Sequence, residues 1–597
     1  MITPIFKLKK THTLGMCLLL IILSSCKQTS TTYEQQDPLV QLETQYKSNL
    51  NTCYLYLDSV NIATTKVGKL AYFIQSRNYF KRVEPILSFI DKNNYKSLNQ
   101  PNILRVQEED ATDIKENAPF GFQVLEEQLH DDTISNQTIT NTINFTRNRL
   151  GLIAQNTTVQ LRDYHLLWLL RDAVIRVAVT GTTGFDSPIL ERSLEESIIV
   201  YKELKTIVEL YKDSFSNLQL YNQWLREIES TLKGLATDFT SFNRYGFIKN
   251  HTHKQLELLV ATQEDWGAEY PFQLAISNDA TSLFSSSTFN MEYFSDYKQT
   301  TVYKAEKIAL GKQLFNDKRL STKQNLNCAS CHHKDKAFTD GLPISANQSR
   351  NSPTLTYAAL QQSFFYDGRA GSLEGQVAAV VKNEKEFHSD LETMRKAVEN
   401  DTTYVAIFKK IYDNKIDGNT IRNAIASYIR SLNAFNSKFD NNINGVEHTI
   451  TESEIRGFNL FMGKAKCATC HFAPVFNGTV PPNFTETEFE ALGVPETTGA
   501  MAEISPDLGR YYLFNTDSRK HFFKTSTVRN VSLTAPYMHN GVYKTLDEVM
   551  TFYNNGGGSA LGIQLEHQTL PSDALNLSDD EIKAIIDFMN SLEDLKV

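Results

Sequence analysis

The sequence predicts a mainly α-helical protein in which an N-terminal helical bundle precedes two further helical domains. Three observations support this. Apolar residues recur at spacings of three and four from about residue 36 to 249, the period of a helix with one buried face. Beyond about residue 300, glycine and proline become frequent and short helical patterns alternate with long irregular segments. The pattern Cys-x-x-Cys-His then occurs twice, at Cys328 and at Cys467.

Length and composition set the limits on this prediction. The chain has 597 residues, and at about 100 to 200 residues per domain this corresponds to three or four folding units. Hydrophobic residues make up 41% and charged residues 22%, which is typical of a globular protein and excludes collagen and long disordered chains. The net charge of −9 gives no electrostatic argument for a nucleic-acid partner.

Residues 1–26 are predicted to be a lipoprotein signal peptide. Lysines at 7, 9 and 10 precede a run of about ten uncharged residues from Leu14 to Leu23, which is too short for a membrane-spanning helix of about 20 residues. The run ends in Leu-Ser-Ser-Cys, which resembles the bacterial lipobox and makes Cys26 the expected lipidation site. Acyl chains there would anchor the protein to the extracytoplasmic side of a membrane.

Residues 27–290 are predicted to form the bundle, ending in a polar linker near residues 278–287. His130 and His165 lie in this region without other ligands at a trusted spacing, so both are expected to be ordinary packed or surface histidines. Residues 300–440 and 441–597 are the two predicted C-terminal domains. In the last of them Ser578 and Glu581 have the spacing of a capping box that begins a helix.

The two Cys-x-x-Cys-His motifs have the pattern of c-type haem attachment. Two thiols about one helical turn apart can bond to the two vinyl groups of one haem, and the adjacent histidine can reach its iron. The motifs therefore predict two covalent haems, held by Cys328, Cys331 and His332 and by Cys467, Cys470 and His471. The alternatives are a zinc site, a thioredoxin-type redox pair in a βαβ unit, and two structural disulfides.

Seven collinear stretches from about residue 304 onward resemble the bacterial dihaem cytochrome c peroxidases and their MauG-like relatives, with the bundle as an N-terminal extension. They are residues 310–317 (LGKQLFND), 350–354 (RNSPT), 365–370 (FYDGRA), 457–464 (GFNLFMGK), 526–530 (STVRN), 535–541 (APYMHNG) and 545–549 (TLDEV). The resemblance implies two cytochrome c-like domains, the first with a peroxidatic haem and the second with an electron-transfer haem.

The resemblance also implies roles for residues near the first haem. Glu386 occupies the position of the catalytic glutamate, Gln376 that of a distal glutamine, and Tyr366 that of an inter-haem tryptophan. Pro343 stands where many relatives have a distal histidine, and no histidine occurs between His333 and His388. The first haem is therefore expected to be open, as in the MauG-like branch.

For the second haem, the resemblance places Tyr553 where peroxidases usually have a methionine ligand, and Met550 and Met538 are rival ligands. As an iron ligand, an anionic phenolate stabilises the ferric state more than a thioether does. The family also implies a calcium ion bound by the Asn351 side chain and the carbonyls of Thr534 and Pro536.

The expected function is reduction of hydrogen peroxide with electrons from a small cytochrome or a similar donor, by a lipid-anchored periplasmic enzyme. A homodimer is the family expectation. The alternatives are a MauG-like oxidase that acts on a protein substrate and a non-enzymatic dihaem electron-transfer protein.

Overall fold

The N-terminal part is a bundle of helices, as predicted. The computed structural model describes residues 37–108, 112–297, 303–499 and 502–595, so the predicted signal peptide and Cys26 lie outside the described residues. The helices of the bundle are α1 (Pro38–Ile62), α2 (Lys66–Ile90), α3 (Lys92–Asn99), α4 (Phe122–His130), α5 (Asn136–Asn156), α6 (Asp163–Arg176), α7 (Ser193–Leu210), α8 (Leu218–Leu235), α9 (Arg244–Phe247) and α10 (His253–Trp266). A short antiparallel hairpin of β1 (Arg105–Gln107) and β2 (Lys115–Asn117) lies between α3 and α4. No helix of the described ranges combines the length and the apolarity needed to cross a membrane.

Buried charges connect the helices of the bundle. Arg77 of α2 forms an ion pair with Glu196 of α7 at 2.8 Å, and Lys81 pairs with Asp186 at 2.5 Å. All four side chains are almost fully buried. Because an unpaired charge in such surroundings would be strongly destabilising, these pairs fix how α2 meets α7 and the segment before it. The His130 Nδ1 lies 2.7 Å from the Glu126 carbonyl oxygen. The His165 Nδ1 accepts from the Arg162 backbone N–H at 3.1 Å, and its ring lies 6.1 Å from that of Phe89, as expected for an ordinary packed histidine.

The C-terminal half contains shorter helices and one short antiparallel strand pair. Its helices are α11 (Lys304–Phe315), α12 (Leu373–Lys382), α13 (Leu391–Glu399), α14 (Thr402–Tyr412), α15 (Gly418–Arg430), α16 (Lys438–Ile443), α17 (Glu452–Phe461), α18 (Tyr511–Phe514), α19 (Leu546–Asn554) and α20 (Asp579–Asn590). Strands β3 (Phe489–Glu490) and β4 (Phe523–Lys524) pair with each other. The predicted capping box is confirmed, since the Ser578 side chain accepts from the Glu581 backbone N–H at the start of α20.

The same helix crossing occurs twice in this half. A Cβ on Gly311 of α11 would lie 1.9 Å from the Ala424 carbonyl oxygen of α15, and a Cβ on Gly457 of α17 would lie 1.9 Å from the Ala584 carbonyl oxygen of α20. Each helix pair can approach so closely only because the crossing residue is glycine. We call residues 300–440 the first haem segment and residues 441–597 the second haem segment.

The buried cores do not follow the predicted boundary between bundle and linker. One core lies within the first haem segment, and a second runs continuously from the bundle into the second haem segment and takes in Tyr357, Leu360, Phe435 and Phe439 of the first. The stretch 278–287 is not a free linker, because Leu283 and Phe284 are fully buried. The Phe284 ring lies 5.3 Å from that of Phe439. The polar residues around these two apolar side chains made the stretch resemble a linker.

Candidate active site

The first Cys-x-x-Cys-His motif forms a tight turn that presents its histidine in a defined tautomer. The Cys328–Ser330 turn is followed by His332, whose backbone N–H donates to the Cys328 carbonyl at 3.0 Å. The His332 Nδ1 lies 2.8 Å from the Phe338 carbonyl oxygen. Because a carbonyl can only accept, Nδ1 carries the proton and Nε2 keeps the lone pair that a metal needs.

The second motif repeats this arrangement. The Cys467–Thr469 turn precedes His471, whose Nδ1 lies 3.2 Å from the Phe476 carbonyl oxygen. Phe338 and Phe476 both have left-handed backbone angles, with φ of 60° and 56°, which turn their carbonyls back toward the histidines. Burial lowers the pKa of His332 and that of His471, so both rings are neutral and suited to bind iron.

The four motif cysteines are free thiols, which argues against the disulfide alternative. Burial raises the pKa of Cys328 and that of Cys467 to about 12. Within the described ranges no three His, Cys, Asp or Glu side chains are placed to hold a metal ion together, and the strands there form only two-stranded antiparallel sheets. The zinc and thioredoxin alternatives therefore lose their support. The donor set fits two c-type haems.

Glu386 lies close to the first thiol pair. Burial raises the pKa of Cys331, and the carboxylates of Asp340 and Glu386 add to this effect. The carboxyl of Glu386 has a buried Oε2 without a hydrogen-bond partner. Burial also raises the pKa of Glu386, against the opposing charge of Arg369. Glu386 lines a cleft of about 510 Å³ that also includes Leu326, two residues before Cys328.

Gln376 lies on α12, the helix that leads into the turn carrying Glu386. Its backbone N–H donates to the Ser372 carbonyl at 2.9 Å in the first turn of this helix, and its side chain is half-buried. The structure thus places Gln376 and Glu386 on successive parts of one α12–turn unit.

Tyr366 lies where the two haem segments meet. Its hydroxyl donates to the Asn351 side-chain oxygen, and its carbonyl accepts from the Lys524 backbone N–H at 2.7 Å. Burial raises the pKa of Tyr366, so the phenol is neutral near pH 7. The Asn351 Nδ2 donates to the Pro536 carbonyl at 3.1 Å. Two of the three predicted calcium ligands are therefore together, although the Asn351 amide presents its NH₂ rather than its oxygen to Pro536.

Tyr553 lies beside the second thiol pair. Burial raises the pKa of Tyr553, and the charges of Cys470 and Cys467 raise it further. Met550, one turn earlier on α19, is 4% exposed and belongs to the hydrophobic core. Met538 is engaged through its carbonyl, which accepts from the Asn351 Nδ2 at 2.9 Å. The Tyr553 side chain thus lies within electrostatic range of Cys467 and Cys470, and the choice among the three candidate ligands stays a prediction.

Several charged residues at this junction were not predicted from the sequence. Arg350 binds Asp507 through two hydrogen bonds of 2.6 and 2.8 Å and also binds Asp367 at 2.7 Å. Burial raises the pKa of Glu490 to about 7, and this carboxyl contacts Cys470. Arg350 and Asp367 lie inside stretches already recognised by their resemblance, whereas nothing in the local sequence around Asp507 or Glu490 distinguishes them from surface acids.

The repeated helix crossing and the two histidine turns define a dihaem protein of the c type. Residues 305–448 match the family model described as di-haem cytochrome c peroxidase. The chain is 32% identical to the cytochrome-c peroxidase IdrP2 of Denitromonas iodatirespirans, with 48% of this chain and 82% of the relative covered. It is 32% identical to the methylamine utilization protein MauG of Methylophilus methylotrophus (48% and 82% covered) and 30% identical to the cytochrome c551 peroxidase of Nitrosomonas europaea (49% and 82% covered).

These relatives are matched over more than two thirds of their length, so the chain belongs to the di-haem cytochrome c peroxidase family. The predicted family, the mainly helical fold, the two c-type haems and the classification as a peroxidase-type oxidoreductase are confirmed. The matches cover about half of this chain.

Proposed function

We propose that this protein reduces hydrogen peroxide to water at the first haem, with electrons that enter through the second haem from a small cytochrome or a similar donor. The observation that carries the proposal is the buried, unpartnered Oε2 of Glu386, a residue that lines the same cleft as Leu326, two residues before Cys328. When bound, the haems supply the iron that binds peroxide and the electrons that cleave its O–O bond.

Glu386 is the acid-base group in this proposal. Its carboxylate accepts a proton from one peroxide oxygen and returns it to the other, so that water leaves rather than hydroxide. A desolvated carboxyl with a raised pKa suits this role, because it can both accept and release a proton near working pH. Gln376 cannot titrate, and its part is to orient peroxide or a water molecule by hydrogen bonding.

Tyr366 and Tyr553 serve the electron path in this proposal. Tyr366 contacts Asn351 of the first haem segment and the Lys524 backbone of the second, so it would serve electron passage between the two segments. Tyr553 and His471 would hold the second haem iron, Tyr553 through its phenol oxygen. An oxygen ligand of this kind stabilises the ferric state and lowers the potential relative to a methionine ligand.

The remaining expectations are part of the same proposal. Members of the family are generally periplasmic, and a lipid on Cys26 would keep this protein at a membrane surface. A calcium ion would be bound by Asn351, Thr534 and Pro536 if the Asn351 amide turns by about 180°, which presents Oδ1 to the Pro536 carbonyl. A homodimer completes the expected assembly.

The experiment that tests the proposal compares Glu386→Gln with Glu384→Gln. Glu384 is an exposed carboxylate two residues away, so its variant controls for the loss of one charge from the same turn. We expect Glu386→Gln to keep both haems and the resting spectrum but to slow peroxide-dependent oxidation of a reduced cytochrome by about 10² to 10⁴. Glu384→Gln should keep the wild-type rate.

The pH profile gives a second readout. Because burial raises the pKa of Glu386, the acid-side decline in kcat/KM should lie above the ordinary range of a glutamate and should disappear in Glu386→Gln. Wild-type turnover in Glu386→Gln together with loss of turnover in Gln376→Ala would contradict the assignment.

A MauG-like oxidase is the second candidate function, and the placement of Tyr553 beside Cys467 and Cys470 favours it. Peroxide would then drive oxidation of a protein substrate rather than of a cytochrome. Stopped-flow mixing with peroxide separates the two functions, because a cytochrome peroxidase should oxidise reduced cytochrome over many turnovers, whereas a MauG-like oxidase should oxidise a protein substrate instead. If neither the cytochrome nor a protein substrate is oxidised and both ferric haems are six-coordinate and low-spin, the protein is an electron carrier.

A further inference from the structure

Lys524 differs from the other buried cations near the haem segments. Arg529 binds Asp440 at 2.9 Å and Arg430 binds Glu374 at 2.6 Å. Arg244 has no acidic partner within the described part of the chain, but its guanidinium donates to the carbonyls of Thr182, Phe242 and Phe239. Lys524 is 9% exposed, and among the described residues no carboxylate lies within 4.0 Å of its ammonium group.

The ammonium group of Lys524 has one hydrogen-bond acceptor, the Gln361 Oε1 at 2.8 Å. Asp367 attracts it electrostatically, but the Asp367 carboxylate already binds Arg350 at 2.7 Å and Arg369 at 2.9 Å. An ammonium group has three donors, so two of them have no acceptor among the described residues. Burial accordingly lowers the pKa of Lys524 to about 7, which is costly for a lysine that serves only as packing.

Lys524 lies where the two haem segments meet. It lies on β4 opposite Phe489 of β3, and its backbone N–H holds the Tyr366 carbonyl at 2.7 Å. The next residue, Thr525, accepts from the Gly478 backbone N–H at 3.2 Å, in the loop that follows His471. The ammonium group therefore lies at the junction of the two haem segments, beside the region through which electrons would pass.

We propose that Lys524 is a positioning residue that forms an ion pair with a haem propionate at the junction of the two haem segments. The propionates are the anionic groups that a haem brings into such a site, and a carboxylate there would complete the two remaining donors. The inference rests on the proposed function only in that both haems are bound. A buried positive charge beside one haem also favours its reduced state, because reduction adds an electron close to that charge.

The test measures the midpoint potential of each haem by spectroelectrochemistry in Lys524→Gln, Lys524→Met and Lys524→Arg, without peroxide or donor protein. Lys583→Gln is the control, because Lys583 is a surface lysine of α20 with a side chain 71% exposed. In the two neutral variants we expect the equilibrium constant for reduction of one haem to fall about tenfold, which is 59 mV for a one-electron couple. The haem that shifts is the one whose propionate Lys524 holds.

Lys524→Arg and Lys583→Gln should leave both midpoint potentials near the wild-type values. If the neutral variants lose one haem while Lys524→Arg retains both, the charge is needed to hold the cofactor and the proposal is supported. Unchanged midpoints in Lys524→Gln and Lys524→Met, or an equal shift in Lys524→Arg, would overturn it. The measurement involves no turnover of peroxide. A failure of the proposed peroxidase function would therefore leave the midpoint potentials, and this test, unaffected.

Discussion

Replacement of the crossing glycines should disturb one haem at a time. A Cβ at Gly311 would meet the Ala424 carbonyl oxygen at 1.9 Å and the Tyr428 Cβ at 3.0 Å. Ordinary contact for a Cβ begins near 3.4 Å, so α11 and α15 would have to separate by about 1.5 Å at the crossing. Gly457 has the same relation to Ala584 on the pair α17 and α20.

The expected cost follows from two opposing effects. Overpacking a close contact typically costs about 1–3 kcal/mol, and a radial gap of 0.5–1 Å elsewhere along the helices forfeits about a quarter to a half of each dispersion contact. Alanine improves helix propensity over glycine by about 1 kcal/mol. We expect the packing loss to exceed this gain, so that Gly311→Ala and Gly457→Ala each lower the free energy of unfolding by about 1–3 kcal/mol.

Gly151 provides the matched control. It lies within α5, and a Cβ there would have its nearest neighbour, Tyr54, at 3.5 Å. Gly151→Ala should therefore stabilise the protein by about 0.5–1 kcal/mol, since only the propensity gain remains. Thermal unfolding followed by circular dichroism measures all three variants.

The visible spectrum makes the prediction specific. Gly311→Ala should change the absorption and EPR features of the first haem and leave those of the second, and Gly457→Ala should do the reverse. If both variants are as stable as the wild type, or if Gly311→Ala disturbs the second haem instead, the reasoning that each glycine crossing supports its own haem is refuted.

Two further predictions concern a buried ion pair and the second haem ligand. Asp440→Asn should lower the free energy of unfolding by about 3–5 kcal/mol, because the fully buried Arg529 side chain would lose its counter-charge. Denaturant titration measures this change. Glu399→Gln is the control, because it removes the partly exposed ion pair with Arg395 and should change stability by less than about 1 kcal/mol. Tyr553→Phe should remove the low-spin ferric EPR signal of the second haem or replace it by a methionine-ligated one, whereas Met550→Leu should leave the signal intact; an unaltered signal in Tyr553→Phe would assign the ligand elsewhere.

Local sequence patterns sufficed wherever a feature depends on neighbouring residues. The capping box at Ser578 and Glu581 was predictable because both partners lie within one helical turn. The haem turns were predictable because the two thiols and the histidine are adjacent in the chain. The bundle was predictable from its apolar period, since most of its buried residues recur at helical spacing.

Features that depend on distant partners were not predictable in this way. Gly311 is an unremarked glycine until Ala424, more than a hundred residues later, packs against it. Lys524 is an ordinary lysine in the sequence, and only the fold removes it from water and from carboxylates. The linker prediction was wrong for the same reason, because the Phe284 ring packs against Phe439, which lies at the end of the first haem segment and more than 150 residues away.

The bundle is structurally part of the second haem site. A Cβ on Gly463, four residues before Cys467, would lie 2.6 Å from the Arg244 guanidinium of α9, and Phe185 meets the ring of Phe472, the residue after His471, at 6.1 Å. The hydrogen bonds of the Arg244 guanidinium all go to carbonyls of the bundle, so the bundle fixes its position. The guanidinium in turn packs against Gly463, between the end of α17 and the second thiol pair. Deleting the bundle would expose the apolar face of the second haem segment and would also remove the contact between Arg244 and Gly463. The second haem, where electrons are proposed to enter, therefore depends on the bundle for its packing, whereas most buried residues of the first haem segment pack in a core of their own.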